Sequence, residues 1–397
     1  MVLSGITDNV EAYLRFLRYC LSENEEVPRV VAEMDWRGLL AFARKHAIVG
    51  IVARTLLHDQ KIGSSAAFAV NKLTEDDVMD WMGEEVMIRQ NNEKCDDVAC
   101  WAINNFRRTG FDTCILKGQG AALLYPESQT RTSGDVDVWV RPSRADAQGN
   151  GKRDVLAQQA MDVERVLAEC RQFVLSAKAC YHHVDFLSKK NIPIEVHYRP
   201  QWLNNPWHNR NLQRFFMNKA DRQFAHQVTL PNGGQVAIPT AEFNVIFMLS
   251  HIYNHLLHEG VGLRQLVDYY YLLRSVDWME WQRSDLNKTM ADCGLVRIGQ
   301  AVSWVLSTIF GLEESHLLVE PSERYGQIVL REVLAGGNFG KHDDRVLSGA
   351  YHSPVRANLQ RLVRDVRMVW YFPSECLWEP WFRVYHWWWR KQHQGIR

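Results

Sequence analysis

Apolar residues recur along much of this chain at the spacing of helices that bury one face. Before residue 110 the pattern covers segments 10–20, 36–46, 48–57 and 76–108. After residue 240 it returns at 241–257, 262–274, 278–293, 295–310, 324–334 and 355–371. The chain therefore predicts a helical N-terminal region, residues 1–110, and a helical C-terminal region, residues 241–397.

The stretch between these regions has a different period. Short apolar or alternating runs, typical of strands, occupy 111–116, 135–141, 182–187 and 192–198, with a polar loop at 144–153 and a helix at 155–173 between them. Two further runs, 227–231 and 235–239, flank Asn232-Gly233-Gly234, which favours a β-hairpin. Residues 111–240 are thus the predicted β-containing core of an α+β protein.

Two aspartates, Asp135 and Asp137, lie on the second predicted strand. Alternate residues of a strand share a face, so Asp135, Asp137 and Trp139 point one way while the intervening valines enter a core. Carboxylates side by side repel, and a cation bound to both removes that cost. Oxygen ligands at this spacing suit Mg²⁺ bridging to phosphates. The alternative is a solvated pair at a strand end, which is the commoner meaning of an isolated Asp-x-Asp.

A glycine-containing turn lies upstream of the aspartates. The apolar run 111–116 ends in Lys117-Gly118-Gln119-Gly120 and leads into the helix-like segment 121–125. This order of strand, glycine turn and helix directs backbone N–H groups and the positive end of a helix at an anion. We therefore expect a phosphate at this turn.

These motifs together resemble a known family. Lys117-Gly118, Leu124-Tyr125-Pro126, Arg131 and Gly134-Asp135-Val136-Asp137 before an apolar strand are similar to the uncharacterised nucleotidyltransferase-like family of the DNA polymerase β type nucleotidyltransferase superfamily. The resemblance implies a small mixed β-sheet with flanking helices, a glycine turn that holds a nucleoside triphosphate (NTP), and a third carboxylate on a neighbouring strand. It also implies transfer of a nucleoside monophosphate from an NTP such as ATP, with Mg²⁺ or Mn²⁺ as cofactor and release of pyrophosphate.

Glu195 is our candidate for the third carboxylate. Segment 192–198 alternates cleanly and places Glu195 and His197 on one face. Asp185 on the preceding strand is a weaker rival, and a surface glutamate on a half-exposed strand is the structural alternative. By the resemblance, Asp135, Asp137 and Glu195 are the predicted catalytic residues and metal ligands of two-metal phosphoryl chemistry. The superfamily more often has aspartate at the third position, which leaves the role of Glu195 as a base open.

The predicted nucleotide-binding residues surround the glycine turn: Lys117, Gly118, Gly120, Arg131 and Gly134. The chain lacks the serine that many nucleotidyltransferases carry at this turn. Lys117 as a point charge, or Arg131 as a two-point clamp, would then contact the triphosphate.

A substrate pocket is predicted from later residues: His197, His251, His255, Arg264 and Asp268. Arg264 and Asp268 are four residues apart on one predicted helix, so an ordinary ion pair is an equal alternative. Two histidine pairs, 182–183 and 251 with 255, are also candidates for a metal. His251 and His255 lack the glutamate of a zinc hydrolase motif, which disfavours zinc there.

Composition narrows the remaining choices. The chain has 46 Lys plus Arg and 46 Asp plus Glu, and this balance gives no strong sign of nucleic-acid binding. The eight cysteines form no Cys-x-x-Cys motif, which predicts free and mostly buried thiols. Residues 1–14 lack a signal-peptide pattern and no run of about 18 apolar residues appears, so we expect a cytoplasmic protein.

The segment 371–397 is rich in tryptophan and ends in basic residues. A terminal helix that docks on the core is the favoured interpretation. Weak contact with a membrane surface is the alternative, because tryptophan and basic side chains together suit a lipid headgroup layer.

Two functions stay open at this point. The first is a metal-dependent nucleotidyltransferase acting on an unidentified acceptor, which would be a sugar, another small molecule, a protein or an RNA. The second is a non-catalytic nucleotide-binding or scaffolding protein that retains the fold. The complete set of carboxylates favours the first. Neutralising Asp135 or Asp137 should then abolish turnover and leave stability unchanged or higher, because the pair repels.

Overall fold

The computed structural model describes residues 7–22, 25–143, 155–340 and 354–393. The polar loop predicted at 144–153 lies outside the described residues. The first helices are α1 (Asp8–Leu21), α2 (Trp36–His46), α3 (Val49–His58), α4 (Gln60–Ser64), α5 (Ala66–Val70) and α6 (Glu75–Arg108), with a 3₁₀ turn at Arg29–Glu33. These bounds confirm the helical N-terminal segments predicted from periodicity.

The long helix α6 supports one side of the β-sheet. It begins with a capping box, in which Thr74 Oγ1 accepts the Asp77 backbone N–H at 3.1 Å and the Asp77 carboxylate accepts the Thr74 N–H at 3.1 Å. Three acidic residues follow the cap in the first turn and two arginines lie in the last, which suits the helix dipole. Its apolar face packs on the first two strands.

The principal sheet is small and mixed, as the sequence predicted. Its strands are β1 (Phe111–Ile115), β2 (Val136–Pro142), β3 (Lys178–Ala179), β4 (His183–Leu187) and β5 (Pro193–His197), in the order β1-β2-β5-β4-β3. The pair β2–β5 is parallel, and the other pairs are antiparallel. The short helix α7 (Gln119–Ala122) and a 3₁₀ turn at Ser128–Thr130 lie between β1 and β2, and α8 (Val155–Phe173) lies between β2 and β3.

Both faces of this sheet are covered. Val136, Val138 and Val140 of β2 enter a core shared with α6 and α8, whereas Trp139 enters a second core formed by the other helices. This alternation confirms the faces predicted for β2. Asp137 therefore lies on the Trp139 face, beneath helices that follow the sheet.

The predicted hairpin is present as β6 (Gln227–Thr229) and β7 (Gln235–Ala237). The later helices are α9 (Pro206–Ala225), α10 (Ala241–His258), α11 (Leu263–Arg274), α12 (Glu280–Asp292), α13 (Val296–Trp304), α14 (Glu323–Gly336), α15 (Pro354–Met368) and α16 (Pro373–His393). A π turn at Val305–Ile309 follows α13, and 3₁₀ turns occupy Glu314–His316 and Asn338–Gly340. Side chains of α1–α3 and α10–α14 share one hydrophobic core, so the N-terminal and C-terminal helices pack together.

The aromatic helix α16 docks on the protein through one face. Trp389 is buried and lies 5.9 Å from the Tyr181 ring, and the buried Glu375 carboxylate accepts the Asn204 backbone N–H at 2.6 Å. Other tryptophans of the helix, including Trp381 at 69 % exposure, face outward. The structure thus shows the favoured docking, and membrane contact stays a prediction. Within the described residues, no helix has the length and apolar character to cross a membrane.

Candidate active site

Asp135, Asp137 and Glu195 meet where β2 and β5 run side by side. The two strands are parallel and place Asp137 opposite Glu195 on the same face of the sheet. Asp135 immediately precedes β2. Oxygen atoms of the three carboxylates lie within 4.8 Å of one another. The structure therefore brings together the three residues that the sequence predicted as metal ligands.

Asp137 is the buried centre of this group. Its Oδ1 accepts hydrogen bonds from Lys117 Nζ and His197 Nε2, each at 3.0 Å. Its Oδ2 is buried and has no hydrogen-bond partner. A buried carboxylate oxygen without a hydrogen-bond partner raises the free energy of the folded state. A cation or donor that binds Oδ2 would therefore gain more binding free energy than it would at a solvated oxygen.

Burial and mutual charge perturb the ionisation of the site. Desolvation, followed by repulsion from Asp137, raises the pKa of Asp135. Desolvation alone would raise the pKa of Glu195, but two neighbouring histidines and Lys117 outweigh it and hold that pKa well below its usual value. Burial opposes the charged form of Lys117, yet attraction to the three carboxylates raises its pKa. Lys117 is therefore a fixed positive charge beside an excess of negative charge.

The predicted phosphate turn has one residue whose backbone requires glycine. Gly118 has φ 63°, in the left-handed region, where it joins β1 to α7. A Cβ atom there would approach the Asp135 carbonyl oxygen at an ordinary 3.5 Å, so the backbone angle selects glycine and crowding does not. Because α7 is a single turn of four residues, it aligns few peptide dipoles toward an anion.

The other two predicted glycines have different surroundings. Gly134 is exposed, and a Cβ placed on it would meet no atom within 4 Å. This open space next to Asp135 suits the close approach of a ligand. Gly120 instead packs against the hairpin, because a Cβ there would lie 3.1 Å from Cγ2 of Ile238. The structure thus gives Gly120 a packing role.

Arg131 forms a buried ion pair with Asp268. Its Nε and Nη2 each lie 2.8 Å from one carboxylate oxygen of Asp268, and both side chains are 5 % exposed. Tyr125 adds a hydrogen bond to Asp268 at 2.6 Å. Arg264, one turn before Asp268 on α11, donates to the Thr132 carbonyl at 2.6 Å. Asp268 therefore holds Arg131 and Arg264 donates to Thr132, while the charges of Arg264 and Asp268 still attract each other along α11.

The histidines of α10 extend the site beyond the carboxylates. His251 Nε2 lies 3.4 Å from Lys117 Nζ, and its other ring nitrogen lies 3.1 Å from Gln201 Nε2. Burial, then repulsion from Lys117, lowers the pKa of His251 well below its usual value. The His255 ring is 4.2 Å away, centroid to centroid. Lys117 thus links Asp137 on the sheet to His251 on the covering helix.

A small cavity lies between the glycine turn and the covering helices. Its lining includes Lys117, Gly118, Arg131, Asp135, His251 and Arg264. Predicted nucleotide-binding residues and predicted pocket residues therefore face the same space.

His183 is a neighbour of Glu195 that the sequence did not place in the site. It pairs with His197 across β4 and β5, and its Nδ1 lies 3.6 Å from Glu195 Oε2, while His197 Nε2 lies 3.4 Å from the same oxygen. The sequence does indicate this pairing. Counting outward from the turn at 188–192 gives the register of the hairpin and places His183 opposite His197. The rival carboxylate, Asp185, pairs with Glu195 one strand farther from β2 and is exposed.

The donor set fits a hard divalent cation. The carboxylates supply oxygen ligands, which Mg²⁺ and Mn²⁺ prefer. Lys117 and His197 occupy one oxygen of Asp137 and leave the buried Oδ2 for an ion. Three carboxylates on neighbouring strands of a small mixed sheet could therefore hold such a cation.

Comparison with known proteins identifies the family of this chain. The sequence model of a family described as uncharacterised nucleotidyltransferase matches residues 32–311, which is more than half of the chain. The protein belongs to that family, and the predicted resemblance is confirmed. The matched range contains the whole sheet, the carboxylates and α10–α13, and it ends before α14.

No curated protein matches the chain. Among solved structures, the crystal structure of an antigenic nucleotidyltransferase-like protein from Paracoccidioides brasiliensis is similar to it, with 12 % identity and a TM-score of 0.28. That match covers 61 % of this chain and 95 % of the other. So loose a superposition adds nothing to the family assignment.

Proposed function

We propose that this protein is a Mg²⁺- or Mn²⁺-dependent enzyme that transfers a nucleoside monophosphate from an NTP such as ATP to a hydroxyl of an acceptor. The observation that supports this best is the buried, unpartnered Oδ2 of Asp137 within a group of three carboxylates. Membership of the nucleotidyltransferase family supports the transferase class.

Asp135, Asp137 and Glu195 would hold the metal ions. Bound there, the ions would neutralise phosphate charge and lower the pKa of the acceptor hydroxyl. We propose that Glu195, which His183 at 3.6 Å and His197 at 3.4 Å keep ionised, accepts the hydroxyl proton once a bound metal ion has lowered the pKa of that hydroxyl. The acceptor oxygen then bonds to the α-phosphorus as the bond from that phosphorus to the bridging β-phosphate oxygen breaks, and pyrophosphate leaves.

The nucleotide would bind on the side of the glycine turn. Lys117 supplies positive charge, and Gly118 and Gly134 leave room for close approach. Arg131 lines the same cavity and is held there by its ion pair with Asp268, whereas Gly120 packs on Ile238 behind the surface. His251, His255 and Arg264 lie toward the covering helices, where we place part of the substrate pocket.

The non-catalytic alternative has one observation in its favour. Lys117 and His197 already neutralise Asp137 without any ion, so the folded state does not require a metal. A scaffold with this arrangement would be stable and inert. Measured nucleotide transfer separates the two functions.

The test is incubation of the purified chain with each of the four NTPs, labelled at the α-phosphate, together with Mg²⁺ and a cell extract. We expect label on a product of increased mass, dependent on Mg²⁺ and lost in Asp135→Asn. Asp185→Asn is the matched control, because Asp185 is an acid on the same sheet face but one strand away from the site. Transfer that survives in Asp135→Asn, or no labelled product with any NTP, would contradict the proposal.

A further inference from the structure

A second group of side chains that could bind a metal lies at the start of β4. Cys180, His182 and His183 each offer one ligand atom, and these atoms lie within 4.8 Å of one another. Cys180 Sγ is 3.6 Å from His182 Nδ1, and His182 Nε2 is 2.8 Å from His183 Nδ1. The group contributes sulfur and nitrogen donors, whereas the carboxylate group contributes oxygen.

The Cys180–His182 spacing matches a tetrahedral ion with sulfur and nitrogen ligands. With Zn–S near about 2.3 Å and Zn–N near about 2.1 Å, the tetrahedral S···N edge is about 3.6 Å. The Cys180–His182 separation equals that edge. A single ion would bind only one ring nitrogen of His182, and one ligand atom from each of the three residues lies within 4.8 Å of the other two.

The backbone already holds the donors in place. Cys180 N–H donates to the His183 carbonyl at 2.9 Å, which closes a tight turn. The His182 carbonyl accepts the backbone N–H groups of Tyr198 and Arg199 at 3.1 and 3.2 Å, which fixes the turn to the end of β5. The donors are therefore set by the fold before any ion arrives.

Packing also orients one of the rings. The His182 imidazole lies against the Trp202 indole, with centroids 4.2 Å apart. Such outer contacts fix the orientation of a histidine ligand and strengthen a metal site.

We propose that Cys180, His182 and His183 form a second metal site that binds a thiolate-preferring divalent ion such as Zn²⁺. A borderline-soft ion takes sulfur and imidazole ligands, and Mg²⁺ does not compete for them. Three protein ligands leave a fourth position open, as in zinc sites that accept water or a further ligand. This site adjoins the carboxylate site, since His183 Nδ1 lies 3.6 Å from Glu195 Oε2. None of its three ligands is a proposed ligand of the carboxylate site, and its binding requires no nucleotide, so the proposal stands whether or not the proposed transfer occurs.

The test uses the full chain, stripped of metal and dialysed against Zn²⁺ or Co²⁺ in the presence of excess Mg²⁺. We expect one Zn²⁺ retained per chain. With Co²⁺ we expect a near-ultraviolet thiolate-to-metal charge-transfer band and the visible bands of a tetrahedral ion. Cys180→Ser should remove the charge-transfer band, and Cys180→Ser, His182→Gln and His183→Gln should each weaken Zn²⁺ affinity by at least about 100-fold, because loss of an outer partner alone costs about 10- to 100-fold.

Cys100→Ser is the matched control, since Cys100 is also a partly exposed free cysteine. It should keep the band and the affinity. Circular dichroism without metal checks that each variant folds. Retention of Zn²⁺ in Cys180→Ser, Co²⁺ binding without a charge-transfer band, or equal loss in Cys100→Ser would overturn the proposal and indicate binding elsewhere on the chain.

Discussion

Two buried groups of charged side chains lie close together in this protein, and they differ in how completely their charges and hydrogen bonds are paired. Arg131 and Asp268 are matched, since two nitrogen–oxygen contacts and a tyrosine hydroxyl use both carboxylate oxygens. The group of Asp135, Asp137 and Glu195 has excess negative charge and a buried oxygen without a partner. The Arg131–Asp268 pair thus has all its carboxylate oxygens bonded, whereas the carboxylate group keeps one buried oxygen without a hydrogen-bond partner.

The largest effect is expected when a carboxylate of the group Asp135, Asp137 and Glu195 is neutralised. Asp135→Asn and Asp137→Asn should each lower turnover by at least about 1000-fold, because each removes a charge that positions metal and phosphate. Initial rates with saturating NTP and Mg²⁺ measure this. The turnover of Asp185→Asn should stay within about twofold of that of the unmodified protein. A comparable loss of turnover in this control would show that removing any nearby acidic side chain lowers the rate, and that the three carboxylates have no special role.

Stability should separate the two aspartates, which the sequence treated alike. Asp137→Asn removes the buried partner of Lys117 and His197, so we expect a loss of about 2 kcal/mol even though Asp135 and Glu195 still attract Lys117. Asp135→Asn relieves repulsion and should leave stability equal or up to about 1 kcal/mol higher. Urea unfolding in metal-free buffer measures both. Equal changes in the two variants would contradict this division.

Breaking the Arg131–Asp268 pair should chiefly affect the fold. Asp268→Asn leaves the Arg131 guanidinium buried without its counter-charge, and we expect a loss of about 3 to 5 kcal/mol in the free energy of unfolding. The exposed pair Arg54–Glu127 gives a control, because Glu127→Gln should change stability by less than about 1 kcal/mol. If Asp268→Asn unfolded no more easily than Glu127→Gln, the pair would be functional and not structural.

The same contrast explains what the sequence predicted and what it missed. The alternation in β2 and β5 predicted the shared faces of Asp135 with Asp137 and of Glu195 with His197, because strand period is contained in a few residues, and the family resemblance indicated a third carboxylate beside the pair. The pairing of Arg131 with Asp268 joins residues 137 positions apart, so no local pattern indicates it. The helix Pro206–Ala225 was missed although its start was visible, since Asn205 caps it and proline follows at the first position.

A smaller effect is expected from Mg²⁺ binding to the group Asp135, Asp137 and Glu195, which would stabilise the folded protein. Mg²⁺ that binds the folded carboxylates should stabilise the protein by about 2.7 kcal/mol at a concentration 100 times the dissociation constant. Asp135→Asn should lose most of this gain, whereas Glu127→Gln should keep it. Thermal unfolding across a Mg²⁺ series, at constant ionic strength, measures the gain. Equal stabilisation of all three proteins would indicate a general salt effect.

The smallest expected effect concerns a carboxylate pair that lies elsewhere, between α15 and α16. Burial, then repulsion from and hydrogen bonding to Glu379, raises the pKa of Asp365 to about 8, so this pair relieves its repulsion with a proton instead of a cation. The folded state keeps a proton that the unfolded chain, with a carboxyl pKa of about 3.9, releases. The pair's contribution to stability is therefore full at low pH and decreases as the pH rises toward 8.

Asp365→Asn replaces that protonated carboxyl with an amide that donates to Glu379 at every pH. We expect the variant to gain on the unmodified protein as pH rises from 5 to 9, reaching about 1 kcal/mol more stable at the upper end. Urea unfolding at each pH measures the difference, with the exposed Asp277→Asn as control. A difference that stays constant with pH would show that Asp365 and Glu379 do not share a proton, and the contrast with the group of Asp135, Asp137 and Glu195 would then rest on the unpaired oxygen of Asp137 alone.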